Sequence, residues 1–149
     1  AVLVPRNRWD IERIVTPVEA LPEEEGPLRP MRLLVVDDDP NILRAMEAWA
    51  LGLGHAVTTA GDAAQGLARC EDHDAALIDF DLGEGMDGLE LAVRLRARQP
   101  HLPIALITAD RSRAVQRRAR MLAIPILAKP VAPDELERWL ARQESTYRV

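Results

Sequence analysis

The residues best placed to do chemistry in this 149-residue chain are Asp37, Asp38, Asp79, Thr108 and Lys129. Each lies just after a short apolar run: Leu33–Val36, Ala75–Ile78, Ile104–Ile107 and Ile124–Leu127. If those runs are neighbouring parallel strands, their ends share one edge, and the carboxylates, hydroxyl and ammonium converge. Two carboxylates about 4 Å apart repel by roughly 4 kcal/mol at an effective dielectric near 20. A cluster of such acids therefore needs a bridging cation or a bound proton. All-oxygen ligands suit Mg²⁺, which keeps part of its shell for waters and phosphate oxygens. Lys129 adds a mobile positive charge and Thr108 a hydroxyl donor, both suited to phosphoryl oxygens. The chemistry this set points to is Mg²⁺-assisted phosphoryl transfer onto a carboxylate. Asp79 is the expected nucleophile, because its strand falls between the acid pair and the Thr–Lys side.

The elements that must position these residues are legible from residue 31 onward. Leu33–Val36 is continuously apolar, as in a strand buried on both faces. Asp39-Pro40 follows as an N-cap and first helical residue, and Ile42, Leu43, Met46, Trp49, Ala50 and Leu53 recur at helical spacing up to Gly54. Ala56–Thr59 reads as a second strand, followed by a helix from Asp62 carrying Ala63, Leu67 and Cys70. Ala75–Ile78 is the third strand, and Leu89–Leu95 marks a helix ending at Gln99-Pro100. Ile104–Ile107 is the fourth strand, followed by a helix with Ala114, Val115, Ala119 and Leu122. Ile124–Leu127 is the fifth, with a last helix from Asp134 to about Glu144 turning Leu136, Trp139 and Leu140 inward. Strict strand–helix alternation predicts an α/β, doubly wound, five-stranded parallel sheet, (βα)5, with right-handed crossovers. Ligands in such sheets bind beyond the carboxyl ends of the strands.

Residues 1–30 differ in composition. They hold five of the eleven prolines and the run Glu23-Glu24-Glu25, and read as a linker with one helical turn near Arg8–Val15. Trp9, Ile11, Ile14 and Val15 are candidates for packing on a domain surface or on a second copy of the chain, which would make a homodimer. Residues 143–149 read as a tail. Apolar residues make up 48% and charged residues 29%, a globular profile, and no uncharged stretch is long enough to span a bilayer. The net charge of −5 argues against nucleic acid as a partner. A single cysteine, Cys70, excludes a disulfide scaffold and a multi-Cys zinc site. Among other polar groups, Asp39 is expected to be only a cap, and His55, His73 and His101 show no ligand spacing and are expected on the surface. Arg111, Arg113, Arg117, Arg118 and Arg120 are expected to form a solvated face, or else a docking patch for an acidic partner or for residues 1–30.

Leu33-Leu34-Val35-Val36-Asp37-Asp38-Asp39-Pro40, Leu77-Ile78-Asp79, Met86-Asp87-Gly88, Leu106-Ile107-Thr108-Ala109 and Lys129-Pro130 resemble the receiver domain of two-component response regulators over about 31–142. The spacings agree as well: Asp79 follows Asp38 by 41 residues, Thr108 follows Asp79 by 29, and Lys129 follows Thr108 by 21. The resemblance implies a flavodoxin-like strand order 2-1-3-4-5. It implies Asp79 as phosphoacceptor and Mg²⁺ held by Asp37, Asp38 and Asp79 with the backbone carbonyl of Asp81. It further implies Thr108 as the switch hydroxyl and Lys129 as the contact to the phosphoryl group. The phosphoryl donor would be a phosphohistidine, on a histidine kinase dimerisation domain or a histidine phosphotransfer protein. Such a domain catalyses its own phosphorylation and dephosphorylation.

Two departures stand out. The segment from Asp79 to Gly88 is one residue longer than the common pattern, with Gly83 where proline is usual, which implies a looser loop. The family's switch aromatic falls on Ile126, so the usual threonine–aromatic relay is missing.

The setting has several readings. Ala1-Val2-Leu3-Val4-Pro5 resembles the end of a histidine-kinase ATPase domain, and a Pro-rich linker then leads to the receiver. That order implies the C-terminal receiver of a hybrid sensor histidine kinase, cytoplasmic even where the parent protein is membrane-anchored, with no DNA-binding output domain after the fifth helix. The alternative is a stand-alone single-domain response regulator. A remote one is a haloacid-dehalogenase-type phosphatase, from Asp79-Phe80-Asp81, although that family's motif sits on the first strand of its core rather than the third.

Overall fold

The computed structural model describes residues 29–148, with side chains to 143. The order is β1 (Arg32–Val36), α1 (Pro40–Gly52), β2 (Ala56–Ala60), α2 (Ala63–Arg69), β3 (Ala75–Asp79), α3 (Gly88–Arg98), β4 (Ile104–Thr108), α4 (Arg113–Met121), β5 (Ile126–Ala128) and α5 (Pro133–Arg148). The strands form one sheet in the order β2-β1-β3-β4-β5, and every pairing is parallel. The doubly wound architecture and the strand order are those expected.

The apolar runs are continuous because both sheet faces are covered. Alternate strand residues point to opposite sides. Leu34, Val36, Ala76 and Ile78 join the core under α2, α3 and α4. Leu33, Val35, Ala75 and Leu77 join the core under α1 and α5, where Ala50, Leu136, Trp139 and Leu140 are buried. All five residues of β3 are buried, as are all five of β4. Trp49 packs at the edge of the second core and Trp139 inside it, as the helical spacing indicated.

Boundaries shift in three places, each for a local reason. Strand β5 starts at Ile126 rather than Ile124, because the Ile124 N–H turns back to the Ala119 carbonyl (2.9 Å) and Pro125 has no N–H to give a ladder. Helix α2 stops at Arg69, leaving Cys70 as an extended C-cap, and the next N–H, of Glu71, is taken by His73 Nδ1 (3.3 Å). Helix α5 continues to Arg148, past the end expected near Glu144 and into the segment read as a tail. The helical turn expected near Arg8–Val15 and the kinase-like Ala1–Pro5 lie outside the described residues.

The surface assignment of the histidines is corrected. His101 is exposed, but His55 and His73 are only 2% and 3% exposed. Both act as acceptors for backbone: Met31 N–H donates to His55 Nδ1 (3.0 Å), and Glu71 N–H to His73 Nδ1. The other His73 nitrogen pairs with the Thr58 hydroxyl at 3.1 Å. Burial holds the His73 pKa below its usual value, consistent with a neutral ring that accepts.

Candidate functional site

Parallel register brings the ends of all five strands together. Val36 pairs with both Ala60 and Ile78, Asp79 with Ile107, and Thr108 with Ala128. The ladder continues one bond beyond β1, β3 and β5: Asp37 N–H donates to Ala60 O (3.1 Å), Phe80 N–H to Ile107 O (3.0 Å) and Lys129 N–H to Thr108 O (3.0 Å). The Lys129-Pro130 peptide is cis. Asp37, Asp38, Asp79, Thr108 and Lys129 thus end on one edge, as the strand-end argument requires.

The acids meet there. One carboxylate oxygen from each of Asp37, Asp38 and Asp79 lies within 4.8 Å of the others. Asp37 and Asp79 are buried, whereas Asp38 is exposed. Lys129 Nζ is 3.0 Å from Asp79 Oδ1 and 3.9 Å from Asp37 Oδ2. Burial pushes the Asp37 carboxyl up to about 6, opposed by a hydrogen bond from the Asp39 N–H (2.9 Å) and reinforced by the Asp79 charge. Burial also raises Asp79, against the hydrogen bond and charge of Lys129. Desolvation pulls Lys129 down, but Asp79, Asp37 and Asp38 more than offset it, so the ammonium is held above its usual range. An excess of buried negative charge on an all-oxygen donor set, open through exposed Asp38, fits a hard divalent cation such as Mg²⁺.

The other expected residues sit around this cluster. Thr108 is buried, and its Oγ1 accepts from the Asp110 N–H at 2.9 Å, so the hydroxyl is engaged by its own loop. Asp81 is exposed; its carboxylate accepts from the Gly83 N–H (3.3 Å), and its charge contributes to raising Asp79. Gly83 and Gly85 have φ of +85° and +93°, a backbone region closed to proline and strained for other residues, which accounts for glycine in the lengthened loop. Asp39 caps α1 by accepting from the Asn41 N–H (2.9 Å).

Ile126 is half-buried, packs on the first core, and lines a cleft of about 450 Å³ with Thr108, Ala119 and Ala128. It reads as a packing residue. Ile126→Ala is expected to lower stability by about 1–2 kcal/mol, less than a fully buried truncation because the site is half open. Thermal unfolding checks it; a variant as stable as the wild type would remove Ile126 from the packing of the first core.

The start of α3 carries more than the sequence pattern indicated. A Cβ at Gly88 would run into the Asp79 carbonyl oxygen and come within 2.8 Å of Phe80 Cα, so the start of α3 presses on the backbone at the end of β3. Asp87 caps α3 in a reciprocal box with Glu90, each side chain accepting from the other's N–H at 2.9 Å. Arg118, one of the arginines assigned to a solvated face, reaches across to Asp87. Nothing in the local pattern singles it out from Arg113, Arg117 and Arg120, which are exposed.

This fold, with its acid cluster and lysine at the carboxyl edge, is that of a receiver domain. The response regulator receiver domain profile matches residues 33–141, and the chain belongs to that family. It is 33% identical over 110 residues to the transcriptional regulatory protein GlrR of Escherichia coli (strain K12), covering 72% of this chain and 25% of that protein. It is 32% identical over 131 residues to the alginate biosynthesis transcriptional regulatory protein AlgB of Pseudomonas syringae pv. tomato, covering 85% and 28%. The chain thus spans about a quarter of the length of these relatives. Among solved structures, a CheY-like response regulator receiver domain protein from Methanospirillum hungatei JF-1 superposes with a TM-score of 0.74 at 26% identity, covering 79% of this chain and 96% of that one. No helix among the described residues is long and apolar enough to cross a membrane.

Proposed function

We propose that Asp79 accepts a phosphoryl group from a phosphohistidine and that the modified domain acts as a signalling switch. The observation that carries this is the Lys129–Asp79 contact of 3.0 Å within the Asp37–Asp38–Asp79 cluster. An Asp79 oxygen attacks phosphorus, the P–N bond to the donor imidazole breaks as the P–O bond forms, and the imidazole leaves as the neutral ring after taking up a proton. Lys129 opposes the burial that disfavours the charge of the nucleophile and then pairs with a phosphoryl oxygen. Thr108, whose oxygen accepts from the Asp110 N–H, donates its O–H to a second phosphoryl oxygen. Asp37, Asp38, Asp79 and the Asp81 backbone carbonyl would hold Mg²⁺, which when bound offsets the gathered negative charge and polarises the phosphoryl group. Water later hydrolyses the acyl phosphate.

The test is binding of beryllium fluoride, a phosphoryl mimic, by calorimetry. Binding should require Mg²⁺, and its absence at saturating Mg²⁺ would refute the acceptor role. The metal titration should also follow the sign set by Asp37. A carboxyl with pKa about 6 must lose its proton to the cation, so Mg²⁺ affinity should be flat above pH 6 and fall by up to about tenfold per pH unit below it. Affinity independent of pH between 5 and 7 would remove Asp37 from the ligand set.

Two settings have support. Ala1–Pro5, outside the described residues, favours the receiver of a hybrid histidine kinase, with the donor histidine on the same protein or on a phosphotransfer partner. The names of the curated relatives favour the receiver of a transcriptional regulator. The coding sequence on either side of this segment decides: ATP-binding motifs upstream support the first, an output domain downstream the second.

A further inference from the structure

Helix α4 is weakly anchored by apolar packing. Among its residues only Val115 and Ala119 are buried. Its position therefore depends more than usual on polar contacts, and one of these leads back to the acceptor. Arg118 Nη1 and Nη2 donate to the two carboxylate oxygens of Asp87 at 3.0 and 3.2 Å, a fork-to-fork pair across 31 residues. The same guanidinium lies 5.9 Å from the ring centroid of Phe80, the residue after Asp79. Burial works against the Asp87 charge, yet the Arg118 pair and the Glu90 N–H hold its carboxyl below the usual range. Asp87 is not free to follow Arg118, because its carboxylate caps α3 and the next residue, Gly88, gives its N–H to Phe80 O at 2.8 Å. One arginine thus ties α4 to the backbone stretch that carries the phosphoacceptor.

We propose that the Arg118–Asp87–Phe80 contact is a latch that holds α4 in the arrangement of the unphosphorylated domain, standing in for the conformational control that an aromatic at position 126 would supply. The inference rests on Asp79 being the acceptor. Its direction comes from Thr108. The hydroxyl oxygen accepts from the Asp110 N–H, in the loop that opens directly into α4, which leaves its O–H free to donate. When that O–H turns toward a group on Asp79, the loop held to the same oxygen is drawn with it. A helix pinned at Arg118 resists this movement, so the pin favours the resting state and sets a cost on the active one. A bidentate pair is geometrically demanding, so a lysine at position 118 does not reproduce it.

The test is a double-mutant cycle on the full chain, with beryllium fluoride titrated at saturating Mg²⁺. Asp87→Asn keeps the helix cap, since Asn caps as well as Asp. Arg118→Gln and Asp87→Asn are each expected to tighten beryllium fluoride binding about 3- to 5-fold, the double variant no more than either single, and Arg118→Lys less than Arg118→Gln. Unchanged or weaker binding in Arg118→Gln, or gains that multiply in the double variant, would overturn the latch. Amide hydrogen exchange of α4 without ligand gives a separate reading: Arg118→Gln should exchange several-fold faster there with β1 and β3 unaffected, and equal rates would also overturn it. If the wild type binds no beryllium fluoride, the acceptor reading is what fails, and exchange alone then judges whether Arg118 pins α4.

Discussion

Asp79→Asn is expected to abolish covalent labelling by acetyl phosphate in the presence of Mg²⁺, a loss of more than about 100-fold, without unfolding the protein. The amide has nearly the shape of the carboxylate, so packing at the end of β3 is kept, but it has no anionic oxygen to attack phosphorus. Stability should move little, and in the metal-free protein it should rise. Asp79 sits within 4.8 Å of two other acid side chains, with one lysine between it and Asp37. Burial disfavours its charge, and so does the Asp38 charge, so a neutral side chain relieves both. Taking away the anion that Lys129 meets at 3.0 Å works in the opposite direction, but Lys129 retains Asp37 at 3.9 Å. The measurement is labelling stoichiometry beside a melting curve. Full labelling of the variant would move the acceptor to another residue; loss of labelling together with unfolding would make Asp79 structural.

The second large effect is expected at Gly88. Two tendencies compete there. Alanine is the better helix former by about 1 kcal/mol. Against that, its Cβ would collide with the Asp79 carbonyl oxygen and with Phe80 Cα at 2.8 Å, and both obstacles are backbone of the central strand and its exit, unable to swing aside. The collision wins. Gly88→Ala should cost about 3 kcal/mol net, at the upper end for overpacking, which is roughly a 15 °C fall in melting temperature for a domain of this size. It should also weaken beryllium fluoride binding, because the displaced atoms carry the Asp79 side chain. Thermal unfolding and the same titration check it. A variant as stable as the wild type would mean that α3 stands off from β3, and the coupling of Asp87 to that strand would go with it.

Much of this domain is written in local pattern. Runs such as Leu33–Val36 and Ile104–Ile107 have no polar face, so they make sense only as strands covered on both sides, and strict alternation with helices leaves few topologies. Once the strands are parallel, the residue after each run falls on one edge. Asp37, Asp38, Asp79, Thr108 and Lys129 are therefore gathered by residue order alone, and an oxygen-rich acid cluster beside a lysine limits the chemistry. What local pattern cannot hold is the distance between residues far apart in the chain. Whether Lys129 is nearer Asp79 or Asp37 depends on how β5 sits against β4 and β3. Arg118 looks like any arginine on a charged helix until the fold brings Asp87 opposite. His55 and His73 read as surface residues because polarity usually means exposure, yet both are buried where a backbone N–H needs an acceptor. Gly88 reads as a helix start, and only packing shows that its missing side chain is what lets α3 touch β3. Architecture and the chemical class of the site follow from the order of residues, because periodicity and strand ends are one-dimensional properties. Which charges pair, which polar groups are buried and what restrains α4 follow from folding in three dimensions, because each depends on close approach between segments that the chain itself keeps far apart.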